Sequence, residues 1–280
     1  MARHLINSFD LARDDVDRLF SMADEGPQHA GLAGLTFLAA FFQESTRTRL
    51  GFMSAAARQG AAVLDAGSVD RLRLEPRDDQ QMVLAGVADL TAVRHWDPTF
   101  ARDLASRGRC SVVNAGAGSA SHPTQSLIDA YTLTKAFRRD IAGLRVLFLG
   151  PLLRSAVSFQ ELAAILRVDV VQCDVAADAA GHACARCRAE IDAADVVYVQ
   201  SLSDTNYDGP DLNAAPRGRA LPEWTVEAIA GSKAFIMHAL PRGPELPDSL
   251  MCDERSLVPQ QVEQGVPVRS AVLRWLVQSS

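Results

Sequence analysis

Leu35 to Phe42 is an apolar run broken only by Thr36. It is followed at once by Gln43-Glu44-Ser45-Thr46-Arg47-Thr48-Arg49 and then by a helix-compatible stretch, Leu50 to Gln59. A short apolar run bounded by polar residues reads as a buried strand, so the polar stretch is the turn from a strand into a helix. Free backbone N–H groups at such a helix start carry partial positive charge, and hydroxyls with an arginine beside them form a cradle for a compact dianion. Arg47 and Arg49 lie two apart on a helix turning ~100° per residue, so they point to roughly opposite sides. Arg47 is expected on the ligand, and Arg49 inward against a carboxylate. The alternative is a capped helix start with two solvated arginines.

The alternation of strand and helix continues along the chain. The first half is expected to hold an amphipathic helix over Leu5 to Ala23 and a short buried strand over Ala61 to Leu64. A helix over Gln80 to Leu90 and a strand at Ala92-Val93 follow, the strand ending in Arg94-His95. Next come a helix from Pro98 to Arg107, a strand from Cys110 to Val113 and a flexible turn from Asn114 to Gly118. His122-Pro123-Thr124-Gln125 then stand at the start of a long helix, Ser126 to Phe137. Strand ends carry the ligand contacts of open α/β sheets, so Ser45 to Thr48, Arg94 and His122 should converge on one sheet edge.

The second half restarts with strands at Leu144 to Leu149, Val168 to Cys173, Val196 to Gln200 and Ala234 to Met237, separated by helices at Ser155 to Leu166, Arg186 to Ala194 and Pro222 to Ala230. Gly150-Pro151 is no G-x-G-x-x-G turn, which gives a dinucleotide little support, while Arg154 offers a cation at a strand end. The charged stretch Gly67 to Asp79 reads as a lid or as solvated surface, and the polar stretch Ser201 to Ala220 as a substrate-facing flap or as disorder. A last helix, Val268 to Leu276, has an apolar face suited to returning to the first half. The fold class is therefore α/β, in two domains that are each a mainly parallel sheet flanked by helices: residues 1–137, with 265–280 packing back, and residues 138–264.

A chain of 280 residues suits two domains of ordinary size, and 48% hydrophobic with 22% charged residues reads as soluble and globular. The net charge of −6 and the absence of a basic stripe argue against nucleic acid as a partner. No run approaches the ~18 apolar residues of a membrane span, and Met1 to Leu5 lacks the apolar core of a signal peptide, so a cytoplasmic protein is expected. Five cysteines argue for reduced thiols. His182-x-Cys184-x-x-Cys187 invites zinc, but a structural site needs four ligands and no second pair is evident, so no metal is expected.

Taken together, Phe42-x-x-Ser45-Thr46-Arg47-Thr48-Arg49, Arg94-His95, His122-Pro123-Thr124-Gln125 and His238-Ala239-Leu240-Pro241-Arg242 resemble the aspartate/ornithine carbamoyltransferase family nearly end to end. Arg3-His4-Leu5-Ile6, and Asn114-Ala115-Gly116 leading to His122, are more similar to its aspartate branch. The resemblance implies the carbamoyltransferase fold and attack of an amine on carbamoyl phosphate. It implies that Ser45, Thr46, Arg47 and Thr48 hold the phosphate, with Thr48, Arg94 and His122 catalytic at the carbonyl oxygen. Gln125 and the Leu240 carbonyl would take the carbamoyl amide. No metal or organic cofactor is implied. The partners implied are carbamoyl phosphate, a small amine and two further copies in a homotrimer with shared sites, open to larger assembly.

Departures from the aspartate branch gather on the acceptor side. That branch takes a lysine from a neighbour's loop, but this chain has no lysine between residues 1 and 134; Arg73 is the nearest candidate, and a guanidinium is not a proton-transferring amine. Pro151 replaces an aspartate, and Ser201-Leu202-Ser203 stands where a second carboxylate-binding arginine is expected, leaving Arg154, Ser201, Ser203 and Leu240 as acceptor candidates. The ornithine branch fits no better, since Ala239 stands at its cysteine. The expectation is a carbamoyltransferase whose acceptor is other than, or less acidic than, aspartate. The alternatives are a genuine aspartate carbamoyltransferase of pyrimidine biosynthesis and a silent or recruited homologue acting as a structural partner.

Overall fold

The computed structural model describes residues 2–66, 72–117, 121–175, 185–202 and 218–278. The first half runs α1 (Arg13–Glu25), β1 (Thr36–Phe41), α2 (Thr46–Ala57), β2 (Ala62–Asp65), α3 (Arg77–Val87), β3 (Leu90–Arg94), α4 (Phe100–Ser106), β4 (Ser111–Asn114) and α5 (Pro123–Phe137). The second runs β5 (Arg145–Leu149), α6 (Arg154–Leu166), β6 (Asp169–Cys173), α7 (Ala185–Ala193), β7 (Val196–Val199), α8 (Glu223–Gly231) and β8 (Phe235–Met237). Two short helices, α9 (Asp248–Met251) and α10 (Val258–Glu263), precede the last, α11 (Gly265–Val277).

The chain divides into two compact units, Met1–Tyr131 with Val157–Leu162 and Glu263–Ser280, and Thr132–Ala156 with Ala163–Val262. Each is built on a four-stranded sheet, ordered β2-β1-β3-β4 in the first and β6-β5-β7-β8 in the second, with every pair parallel. Central parallel strands are covered on both faces, which is why Phe37 to Phe41 and Val146 to Leu149 are continuous apolar runs, buried throughout. In the first sheet the chain winds from β1 to β2 on one side, then crosses back to place β3 on the other. The carboxyl ends of β1 and β3 thus flank the point where winding reverses, the usual seat of a ligand in an open α/β sheet. The second sheet repeats the reversal between β5 and β7.

Several expected elements are corrected. The helix expected over Leu5 to Ala23 begins only at Arg13: Leu5 instead joins the sheet beside Val113, with Leu5 N–H donating to Val112 O (2.9 Å) and Leu5 O accepting from Asn114 N–H (2.9 Å). Asp10 takes the N–H groups of Ile6 (3.2 Å) and Asn7 (2.8 Å), offering the backbone a turn in place of a helix. The strand at β2 is not buried; it lies at the edge of the described sheet and leaves Leu64 42% exposed. α2 starts at Thr46 rather than Leu50, α5 starts at Pro123, and Leu90 opens β3 instead of closing a helix.

α11 lies in the first unit and carries Val268, Ala271, Val272, Leu273, Trp275 and Leu276 into its core. Arg274 pairs with Glu25 (2.9 Å) and donates to Met22 O (2.6 Å), and the Trp275 indole donates to Asp15 (3.2 Å), tying α11 to α1. Among the described residues no helix is long and apolar enough to cross a membrane.

Candidate active site

At the end of β1 the chain turns through Ser45, the N-cap of α2, whose hydroxyl donates to Thr48 Oγ1 at 3.0 Å. Thr48 is buried, while Thr46 and Arg47 are exposed. The first bond of the helical ladder is Arg49 N–H to Ser45 O (3.0 Å), so the N–H groups of Thr46, Arg47 and Thr48 lie ahead of the ladder at the helix mouth. Arg47 is exposed, yet the protein around its guanidinium partly desolvates it and lowers its pKa. Arg49 turns away, as its spacing requires, and pairs with Asp65 at the end of β2 through Nε–Oδ1 (2.9 Å) and Nη2–Oδ2. That pair is half-exposed and not inward as expected, because β2 is an edge strand.

Arg94 ends β3 in register with Phe41, which places it beside the α2 mouth across the reversal point. Its Nη1 donates to Ala115 O at 3.3 Å. Gly116 follows, at φ +107°, and a Cβ there would lie 2.5 Å from Arg94 Nη1 and 3.1 Å from His122 Cδ2. The bare glycine therefore lets Arg94 and His122 approach the same turn. His122 is buried ahead of α5; its backbone N–H donates to Ser158 Oγ (2.6 Å), and its Nδ1 lies 3.5 Å from Thr124 Oγ1. Gln125, on the first turn of α5, donates from Nε2 to Asp129 Oδ1 at 2.8 Å. The first unit thus gathers Ser45, Thr46, Arg47 and Thr48 on one side of the reversal and Arg94 and His122 on the other.

In the second unit, Leu240 follows β8 with φ 55°, on a loop pinned by His238 and Glu245. Leu240 N–H donates to His238 Nδ1 (2.8 Å), so the ring proton sits on Nε2 and faces Glu245 Oε1 at 3.2 Å. Glu245 also accepts from Gly243 N–H at 2.7 Å. Burial raises the Glu245 pKa, but the bonds from His238, Gly243 N–H and its own N–H outweigh it and leave the carboxyl below its ordinary range. Arg154 opens α6 after β5, and the buried Gln200 and Ser201 follow β7, so both sit at the ends of the strands flanking the second reversal. Ser155 Oγ donates to Gln200 Oε1 at 3.2 Å.

Arg73 falls in a 3-10 turn, Leu72–Leu74. Ser203, most of the Ser201 to Ala220 stretch, and His182 and Cys184 lie outside the described residues. Among the described residues no cluster of His, Cys, Asp or Glu is arranged to hold a metal. Sequence reading passed over Gly116 as a merely flexible turn and missed Ser158 and Glu245; its place directly after a strand was the one signal available for Gly116.

A doubly wound parallel α/β unit with polar side chains gathered at its winding reversal is the architecture of open-sheet α/β proteins, which seat their ligands there. Within that class the chain belongs to the aspartate/ornithine carbamoyltransferase family: residues 3–135 match its carbamoyl-P binding domain and residues 157–276 its Asp/Orn binding domain. It is 35% identical over 260 residues to the aspartate carbamoyltransferase catalytic subunit of Sphingopyxis alaskensis, covering 86% of this chain and 75% of that one. The corresponding subunit of Beutenbergia cavernae is 33% identical over 314 residues, covering 98% and 93%. The fold is shared with aspartate transcarbamoylase from Trypanosoma cruzi in complex with carbamoyl phosphate and aspartate (TM-score 0.79, 21% identity, 99% and 97% covered). It is shared too with ornithine carbamoyltransferase from Pyrococcus furiosus (TM-score 0.80, 24% identity, 97% and 96% covered).

Proposed function

We propose that this chain transfers the carbamoyl group of carbamoyl phosphate to the amine of an amino acid. The reading is supported by the position of Ser45 to Thr48 at the start of α2, beyond the end of β1, beside the strand that ends in Arg94, whose Nη1 borders the same Gly116 turn as His122. In the proposed reaction the amine nitrogen attacks the carbonyl carbon. A C–N bond forms, the bond from carbon to the bridging oxygen breaks, and phosphate leaves with that electron pair and takes up the amine proton. Ser45, Thr46, Arg47 and Thr48 hold the phosphate. Thr48, Arg94 and His122 donate to the carbonyl oxygen as its charge grows, where one such donor contributes ~3 kcal/mol. Gln125 and the Leu240 carbonyl take the carbamoyl amide. Arg154, Ser201 and Ser203 receive the acceptor, and in a cytoplasmic homotrimer Arg73 serves a neighbouring site.

Aspartate is the leading acceptor. Relatives named as aspartate carbamoyltransferases favour it over the less acidic amine that the rewritten acceptor residues led one to expect. One observation favours the less acidic amine: Ser201, where an arginine was expected, is buried at the end of β7 and carries no charge for a second carboxylate. The test is calorimetric titration with fresh carbamoyl phosphate, followed by phosphate release with a panel of amines. Release with aspartate alone supports the first reading and release with a neutral amino acid the second, while absence of binding at millimolar ligand overturns both. Arg47→Ala should abolish phosphate binding and leave the melting temperature nearly unchanged, because the side chain is exposed. Normal binding by that variant would put the site elsewhere.

A further inference from the structure

α11 carries two buried arginines that are treated differently. Arg274 has a carboxylate partner, Glu25. Arg269, 6% exposed, has no carboxylate within ion-pair distance among the described residues. Its Nη1 donates to Gly265 O (3.0 Å), its guanidinium lies over the Phe52 ring at 5.4 Å, and its buried Nε has no hydrogen-bond partner among the described residues. Removing an unpaired ion from water costs several kcal/mol, so a cation kept in this setting calls for an anion from elsewhere.

Its surroundings say where that anion would bind. A Cβ at Gly51 or at Gly265 would stand 2.7 Å from Nη1, so two glycines clear the space the guanidinium fills. Gly51 lies four residues after Arg47 on α2, hence on the same helical face. Burial, and after it the charge of Arg47, together push the Arg269 pKa down to about 10, in keeping with Arg47 standing on the face of α2 that Arg269 packs against at Gly51. Arg269 lies against the second turn of α2, at Gly51 and Phe52, one turn beyond the mouth that holds Arg47 and the N–H groups of Thr46 to Thr48, where the helix dipole is positive.

We propose that Arg269 is a positioning residue for the phosphate site: lying behind Arg47, it repels that guanidinium outward toward the ligand and supplies buried positive charge that is neutralised only when phosphate occupies the α2 mouth. The inference rests on the proposed function, since it needs phosphate at that mouth. It explains why α11 keeps a second cation, one without a carboxylate partner, facing α2 at Gly51, and it makes ligand binding and the stability of the first unit one linked equilibrium.

The test uses the full chain, with inorganic phosphate as the probe. Calorimetric affinity and melting temperature with and without phosphate are measured for the wild type, Arg269→Met and Arg269→Lys. Arg269→Met should melt no lower than wild type without phosphate, bind phosphate at least about tenfold more weakly, and lose most of the rise in melting temperature that phosphate gives. Arg269→Lys should keep most of the affinity. A merely structural role gives the opposite pattern, a lower ligand-free melting temperature with unchanged affinity, and would overturn the proposal. If Arg269→Met does not fold, Gly51→Ala, which crowds Nη1 without removing charge, must weaken phosphate, and unchanged affinity there is equally decisive against it. Wild-type protein that binds no phosphate would sink the functional reading itself, whereas wild-type binding with unaffected variants would sink this inference alone.

Discussion

A methyl group at position 116 would stand 2.5 Å from Arg94 Nη1 and 3.1 Å from His122 Cδ2, on a backbone at φ +107° that L side chains rarely adopt. Either the turn or both side chains must then move. Displacing positioned donors by about 1 Å costs on the order of 10²-fold in rate, and holding a non-glycine residue at positive φ costs about 1–2 kcal/mol. Gly116→Ala should therefore lower kcat/KM by about that factor in a transferase assay, with a modest fall in melting temperature. Full activity would mean that Arg94 and His122 do not act together. The placement of Ser45 to Thr48 and Arg94 at strand ends was legible in the sequence, because an apolar run that stops at polar groups marks the carboxyl end of a buried strand. Gly116, Glu245 and Arg269 were not. Each matters through what lies opposite in space, and an isolated glycine, glutamate or arginine carries no trace of that.

Among the elements, the loop after β8 is held by a buried side-chain clamp. Leu240 adopts φ 55° without being glycine, and the loop is held by His238 Nδ1 accepting from Leu240 N–H while Glu245 receives His238 Nε2 and Gly243 N–H. Both His238 and Glu245 are buried, so losing the bond between them leaves a buried polar group unsatisfied, at a cost of about 1–3 kcal/mol. The pH dependence follows from the Glu245 pKa, which the fold lowers. The carboxylate adds stability above the pKa of the unfolded chain, and that stability is lost as pH falls through the lower folded value. Glu245→Gln should melt below wild type at neutral pH and lose less of its melting temperature on acidification toward pH 3. Parallel melting curves for the two proteins would remove Glu245 from this role. The sequence showed a strand ending at Met237 with His238 after it; the step on to Glu245 crosses Pro241, Gly243 and Pro244, where neither helical nor strand periodicity applies, so the clamp was hidden. Element boundaries slipped for a related reason. Asp10 turns the chain with local carboxylate bonds where periodicity alone would continue a helix.

At the scale of the whole molecule, the chain that opens the first unit also closes it. Arg3 stacks on Trp275 at 4.6 Å and donates to its carbonyl at 3.1 Å, Gln59 on α2 donates to Ser270 O at 3.3 Å, and Arg274 reaches Glu25 on α1. α11 buries Val268, Val272, Leu273, Trp275 and Leu276, aliphatic and aromatic side chains worth about 1.5–3 kcal/mol each. Their sum is comparable to the roughly 5–15 kcal/mol that stabilises a domain, before the buried charge of Arg269 is considered. The second unit has its own core, in which Leu147, Val197, Val199, Ile229 and Ile236 from β5, β7, α8 and β8 are fully buried. Deleting residues 265–280 should therefore unfold the first unit while the second keeps a cooperative transition. Trp96 lies in the first unit and Trp224 in the second, so single-tryptophan variants of the full and shortened chains, unfolded in urea, report the two separately. Loss of the urea transition at Trp96 with its retention at Trp224 is the expected result. Retention at both would mean that the first unit stands without α11, and the packing of that helix would then be serving the phosphate site through Arg269 more than the fold.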